Sequence, residues 1–261
     1  EGGVDIVNAY LFDPTSENLG RVKSFLKDYI REEIVIPSKG NSSQPSFRLV
    51  DFKPDEFIKT QEERDEIKRI HGIDDLRGTA LATVLPDLYK VQVEAILEEV
   101  PHTFQVDGDP FDAGDGEMDW FTYDLDTCPY IIIPMVEDVS HYNMLQSLVK
   151  KAVNNVWGED HAKQVSVVPM IETLNAIKIL PELLPAPRVL IGGSDLMSDI
   201  MGGVSRSNEG AIKQWMDQNP MSEHPFRSIP PKMQDALEEL VAIINNSNEG
   251  RYGADRTNIY F

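Results

Sequence analysis

The chain has 261 residues, with 24 Lys+Arg against 44 Asp+Glu, so its formal net charge is −20. This length fits one domain with a large core, and 41% apolar residues is a globular composition. The acidic balance argues against nucleic acid, whose phosphates are bound by clusters of Lys and Arg, and against an anionic membrane surface. No apolar run reaches about 18 residues, so we expect no transmembrane segment.

Cysteine usage and the first residues suggest a compartment. Cys128 is the only cysteine, so no internal disulfide can form, which favours a reducing environment. The sequence starts at Glu1 and shows no signal-peptide pattern. We therefore expect an intracellular protein, in the cytoplasm or inside an organelle after removal of a presequence.

Short apolar runs rich in Val and Ile alternate with longer amphipathic stretches along the chain. The runs predict buried strands over Asp5–Phe12, Ser46–Phe52, Tyr130–Val136, Val165–Ile171 and Arg188–Gly192. The stretches carry apolar residues at helical spacing and predict helices over Leu19–Ile34, Pro86–Val100, Tyr142–Trp157 and Lys232–Asn245. This alternation predicts an α/β fold with a parallel sheet, either a barrel or a doubly wound sheet.

Residues 101–126 interrupt this alternation with an acidic segment. It holds seven Asp and one Glu but no Lys or Arg, and its spacing does not fit an EF-hand loop. We interpret it as a solvated loop inserted before a strand. A docking surface for a basic partner and a loose divalent-cation site are the alternatives.

Four charged residues are candidates for a binding site. Glu172 and Asp195 each follow a predicted strand, at the end of the sheet where α/β proteins build ligand sites. Two such carboxylates could hold Mg²⁺, which fills its remaining positions with water and substrate oxygens. Arg48 in SFRLVDF and Arg77 in LRGTALA, both interpreted as strands, offer guanidinium groups suited to phosphate or carboxylate. Together they predict a site for a small anion and a divalent cation.

Five stretches, in order, resemble the C-terminal phosphoenolpyruvate/pyruvate barrel of pyruvate, phosphate dikinase, a member of the PEP-utilising enzymes. They are Ser46–Phe57, Leu76–Leu97, Tyr130–Val136, Met170–Thr173 and Ile191–Glu209. The resemblance implies a TIM-type (β/α)8 barrel, with residues 1–261 as a single domain. A rival family, the citrate-lyase-like aldolases, shares only the Glu172 and Asp195 pattern.

The resemblance also implies roles for individual residues. Arg48 and Arg77 would bind the phosphate or carboxylate of phosphoenolpyruvate, and Ser194 would lie beside them in the substrate site. Glu172 and Asp195 would hold Mg²⁺, which would stabilise the charge on the enolate oxygen.

Several family residues are replaced in this chain. An Arg-Thr-Glu of the first family strand corresponds to Val7–Tyr10, Ala80 replaces a second arginine, and Ser194 replaces an asparagine. The proton-donating Cys of the family has no counterpart in Arg251–Phe261, and neither does its eighth strand. We therefore expect a barrel that is incomplete at its C-terminal end, and we assign no catalytic residue.

Two functions remain open. The first is a degenerate, non-catalytic barrel that serves as a structural or regulatory subunit of a larger assembly, where its charge would favour a basic protein partner. The replaced and missing family residues favour this function. It is also favoured because the sequence contains neither the family's phosphohistidine motif nor a Gly-rich nucleotide-binding loop. The second is a Mg²⁺-dependent phosphoenolpyruvate- or pyruvate-binding enzyme, of the phosphotransferase or 2-oxo-acid lyase type. A third reading, an excised piece of a multidomain enzyme, does not explain the substitutions.

Overall fold

The computed structural model describes residues 3–35, 46–51, 60–72, 78–100, 129–159, 165–184, 186–219, 224–249 and 257–260. Within them, ten α-helices alternate with five strands. The strands are β1 Ser46–Arg48, β2 Tyr130–Ile133, β3 Ser166–Ile171, β4 Arg188–Ile191 and β5 Asn258–Tyr260. The arrangement is the α/β fold that the sequence predicts.

Several helices begin directly after a residue whose side chain caps the first turn. The helices are α1 Gly3–Phe12, α2 Ser16–Tyr29 with a π-helical extension Ile30–Val35, α3 Gln61–His71, α4 Gly78–Val84, α5 Pro86–Glu99, α6 Val139–Val156, α7 Leu174–Leu183, α8 Gly193–Ile200, α9 Glu209–Gln218 and α10 Pro231–Ser247. Asp138 caps α6 and Thr173 caps α7, each accepting from a backbone N–H of the first turn. Among the described helices, none is both long and apolar enough to cross a membrane.

All five described strands run parallel, and their spatial order is their order along the chain, from β1 to β5. A doubly wound sheet reverses its strand order at a switch point, whereas a β/α barrel keeps sequential order. The topology therefore favours the barrel over the doubly wound alternative. Whether the barrel is incomplete at the C-terminal end stays a prediction, as does the single-domain assignment of residues 1–261.

The core lies between the sheet and the helices that follow its strands. Ile131 and Ile133 of β2 and Ile171 of β3 are fully buried, as are Leu145 of α6 and Leu180 of α7. Burying one such side chain contributes about 1.5–3 kcal/mol, so these contacts account for much of the sheet's stability. This packing positions each strand along the core and therefore also positions the ends of the strands.

The first predicted strand is wrong, because residues 5–12 belong to α1. An apolar run of this length suits a buried helix as well as a strand, and periodicity alone does not separate the two. Tyr10 and Leu11 are buried in the core. Since Val7–Tyr10 is helical, its comparison with the first family strand is also wrong. The loss of an arginine inferred from that comparison therefore has no support.

The strand predicted at LRGTALA is wrong for its described part, which forms α4 from Gly78 to Val84. Ala80, Leu81 and Ala82 are strong helix formers, and their run lacks the alternation of a strand. Arg77 lies outside the described residues. The acidic segment 101–126 and Cys128 also lie outside them.

Strand β5 was not predicted from the sequence; it pairs with β4 through Asn258 against Arg188. Only three residues form it, so the apolar signal is weak. Thr257 anchors the strand. Its hydroxyl donates to the Ala186 carbonyl at 2.6 Å, and its N–H donates at 2.7 Å to Oδ1 of Asn248, the residue that follows α10. Polar contacts therefore place this strand.

Candidate functional site

The carboxyl ends of β1, β3 and β4 carry the polar residues of the site. Glu172 follows the last residue of β3, and Asp195 lies in the first turn of α8, directly after β4. The Gly192 N–H donates to the Ile171 carbonyl at 3.0 Å, so the ends of β3 and β4 lie side by side. Arg48 is the last residue of β1. The parallel register thus brings these side chains to one edge of the sheet.

Glu172 is the most deeply buried of these residues, with 1% of its surface exposed. Its Oε2 accepts a hydrogen bond from the Met135 N–H, just past β2, at 2.7 Å. Its Oε1 is buried and has no hydrogen-bond partner within the described part of the chain. Because buried polar atoms are nearly always paired, this oxygen needs a proton, a cation or another ligand.

The surroundings of Glu172 disfavour its charged form. Burial raises its pKa to about 7; the Met135 N–H opposes that rise, and the charges of Asp195 and Asp51 add to it. The positive charge of Arg48 lowers the pKa slightly. The carboxyl is therefore poised to change protonation near neutral pH, and a bound cation would favour its charged form.

Glycine at position 192 gives the Glu172 side chain its room. A Cβ on Gly192 would lie 2.4 Å from Glu172 Cγ and 2.7 Å from Oε1, closer than van der Waals contact allows. The strand end of β4 therefore packs directly on the carboxylate. Such an approach of backbone to side chain is possible only with glycine.

Asp51 belongs to this edge, although the sequence analysis did not single it out. Its Oδ1 accepts from the Gly78 N–H at 2.9 Å, and its charge acts on Glu172. The Tyr89 hydroxyl contacts the Val50 carbonyl at 3.1 Å and the Gly78 carbonyl at 3.0 Å, tying the end of β1 to α4. The position of Asp51, three residues after Arg48 at a strand end, is the signal that could have identified it.

The other three predicted site residues are Arg48, Ser194 and Arg77. Arg48 is exposed and acts on Glu172 through its charge, and Ser194 is exposed beside Asp195 in the first turn of α8. Arg77 lies outside the described residues. The structure thus brings Arg48, Glu172 and Asp195 to one edge, and the roles assigned to all five residues stay predictions.

The donor set at this edge fits Mg²⁺. It offers two carboxylates, Glu172 and Asp195, and Oε1 of Glu172 has no partner in the part of the chain that the structure describes. The described residues contain no group of three or more His, Cys, Asp or Glu side chains that could hold a metal ion by themselves. Mg²⁺ suits such a site, because it commonly binds one or two carboxylates and takes its other oxygens from water and substrate.

Comparison with protein families places the chain in a known family. The family model "PEP-utilising enzyme, PEP-binding domain" matches residues 36–249, which include β1 to β4 and the charged residues at their carboxyl ends. A search of curated proteins found no match. The match spans most of the chain, and so the chain belongs to the PEP-utilising enzymes, through their PEP-binding domain.

Proposed function

We propose that the carboxyl edge of the sheet binds phosphoenolpyruvate, or a 2-oxo acid anion such as pyruvate, together with Mg²⁺. The observation that carries this proposal is the buried Glu172 carboxyl, whose Oε1 has no partner among the described residues while Asp195 and Asp51 repel its charge. A cation beside Oε1 would satisfy that atom and offset the repulsion. Membership in a family of PEP-binding domains supports the choice of anion.

In this proposal each residue has a distinct task. Glu172 and Asp195 would hold the cation, which supplies stabilisation of negative charge on the enolate oxygen. Arg48, whose guanidinium is exposed at the same edge, would bind the carboxylate or phosphate of the ligand. The buried Met135 N–H keeps one Glu172 oxygen fixed, so the carboxylate is oriented before the ligand arrives.

A second candidate is a non-catalytic barrel that acts as a structural or regulatory subunit. Ala80 favours it, because this half-buried residue of α4 offers no charge where the family carries an arginine. The exposed Ser194 in place of an asparagine adds to that. One earlier reason no longer holds, since Val7–Tyr10 is helical. Ligand binding by the retained residues is compatible with either candidate, whereas turnover is compatible only with an enzyme.

Calorimetry tests the first proposal. We expect oxalate, pyruvate or phosphoenolpyruvate to bind only when Mg²⁺ is present, and the double variant Glu172→Ala/Asp195→Ala to lose that binding. The matched control Glu182→Ala/Glu239→Ala removes two exposed carboxylates from other helices and should bind as the wild type does. No heat with any of the three ligands, or equal heat in the site variant, would contradict the proposal.

A kinetic assay separates the two candidates. The purified chain is incubated with phosphoenolpyruvate, Mg²⁺ and water or candidate phosphoryl acceptors, and pyruvate release is followed. Turnover well above background that disappears in the Glu172→Ala/Asp195→Ala variant would establish an enzyme and rule out the non-catalytic subunit. Magnesium-dependent binding without turnover would support the subunit.

A further inference from the structure

On the basis of this function, we propose that Met135 and Gly192 are positioning residues for the Glu172 carboxylate. Met135 contacts one carboxylate oxygen from the end of β2, and Gly192 packs on the side chain from the end of β4. Neither residue offers a side-chain oxygen or nitrogen to a ligand. Both act through backbone geometry, which the sequence motifs do not reveal.

Met135 has an uncommon backbone conformation. Its φ is 47°, and no other non-glycine residue in the described part of the chain has a positive φ. A residue with a side chain adopts this left-handed region at a cost, and such conformations persist where the surroundings impose them, often at functional sites. Here the conformation directs the Met135 N–H at Glu172 Oε2, at a distance of 2.7 Å.

The first turn of α4 holds Met135 in this conformation. A Cβ on Gly78 would lie 2.4 Å from Met135 Cβ and 2.8 Å from the Pro134 carbonyl oxygen, so the two backbones meet at that glycine. The Thr79 hydroxyl donates to the Met135 carbonyl at 3.1 Å. Gly78 also donates its own N–H to Asp51. The first turn of α4 therefore contacts both the backbone of Met135 and the side chain of Asp51.

Gly192 confines the carboxylate from the opposite side. Its backbone leaves no room for a Cβ beside Glu172 Cγ and Oε1. It also lies directly before α8, whose first turn carries Asp195. One residue thus limits where the Glu172 side chain can lie and where the helix with the second carboxylate begins. This contact therefore links the positions of the two predicted metal ligands.

Gly192→Ala and Gly193→Ala form a matched pair of test variants. The Cβ of the first would overlap Glu172, whereas the Cβ of the second would meet only Met233 Cε, at 3.9 Å. We expect Gly192→Ala to weaken Mg²⁺-dependent oxalate binding about 10- to 100-fold, the usual effect of losing a residue that orients a metal ligand. Gly193→Ala should bind oxalate as the wild type does.

Hydrogen exchange of the Met135 amide gives a readout that needs no ligand. We expect that amide to be protected in the wild type and in Gly193→Ala, and to lose protection in Gly192→Ala. Unchanged amide protection together with unchanged oxalate affinity would overturn the positioning role. Loss of protection in a protein whose wild type binds no oxalate would support that role and reject the proposed function instead. If Gly192→Ala does not fold, Glu172→Ala tests the Met135 contact alone, because it removes the acceptor of that amide without a clash. Unchanged protection of the Met135 amide in Glu172→Ala would overturn the positioning role.

Discussion

Two groups of charged residues in this molecule are arranged in opposite ways. At the seam where α2 and its π-helical extension pack on α5, basic residues of one element face acidic residues of the other. The pairs are Lys23 with Glu94 and Glu98, Lys27 with Glu98 and Glu99, and Arg31 with Glu99, at 2.6–3.4 Å. This α2–α5 seam is a network in which the charges of each partner are offset.

The carboxyl edge of the sheet has the reverse arrangement. Asp51, Glu172 and Asp195 all carry negative charge when ionised, and Arg48 is the one described base that acts on Glu172. Like charges in a buried site raise the free energy of the folded protein when no ligand is present. Opposite charges are thus paired at the seam, whereas like charges are gathered at the edge. The second arrangement is the one expected if the edge binds a cation, as proposed above.

The largest effect should come from Gly78→Ala, which damages the edge and leaves the seam intact. The variant forces a Cβ to within 2.4 Å of Met135 Cβ and requires alanine at a φ of 49°. Left-handed backbone costs about 1–2 kcal/mol and overpacking about 1–3 kcal/mol, so we expect a loss of about 2–5 kcal/mol. Urea denaturation measures this change.

Gly20→Ala is the control for that substitution. Gly20 lies exposed within α2 with no atom near the position of a Cβ, so alanine should stabilise the protein by up to about 1 kcal/mol. If Gly78→Ala were as harmless as Gly20→Ala, the close packing between α4 and the end of β2 would not exist in solution.

A smaller effect, which depends on pH, is expected from Glu172→Gln. The Glu172 pKa rises from its ordinary 4.5 to about 7 on folding, so its contribution to stability is present below pH 4.5 and is lost as the pH rises through 7. The difference corresponds to about 3 kcal/mol. Glutamine cannot ionise and still accepts the Met135 N–H, so the variant should gain on the wild type by up to about that amount at about pH 8.

This comparison is made with a chelator present, because a bound cation would reverse the sign. Stability is measured in urea at several pH values between about 5 and 8, and Glu182→Gln serves as the control at an exposed carboxylate. A wild-type protein whose stability relative to Glu172→Gln does not change over that range would show that Glu172 keeps its ordinary pKa. The edge would then not differ from the seam in the way described.

Four of the five described strands and four of the ten described helices could be predicted from residue patterns, because these elements leave clear apolar periodicities. Residues 5–12 and 78–84 could not, since short apolar stretches fit a helix or a strand and only packing decides. Glu172 and Asp195 were recognisable because they follow strands. Met135 was not recognisable, because its proposed role depends on a backbone angle and on a contact with Gly78. The two residues are far apart in sequence, so no local motif joins them.

The smallest effect is expected at the seam, from Glu98→Gln. Glu98 lies 2.6 Å from Lys23 and 2.9 Å from Lys27. Burial alone would raise its pKa, but the hydrogen bonds from the two lysines outweigh burial and hold the pKa below its ordinary value. Its contribution is therefore present above the unfolded pKa and is lost as the pH falls through the folded one.

Because the side chains at the seam are partly exposed, we expect Glu98→Gln to cost only about 1 kcal/mol near neutral pH. Salt at about 1 M shortens the screening length to about 3 Å, so this cost should shrink there, measured by urea denaturation at low and high salt. Glu239→Gln, at an exposed carboxylate of α10, is the control. A gain in stability from Glu98→Gln would mean that the seam carries excess negative charge, as the sheet edge does, and would remove the contrast between the two regions.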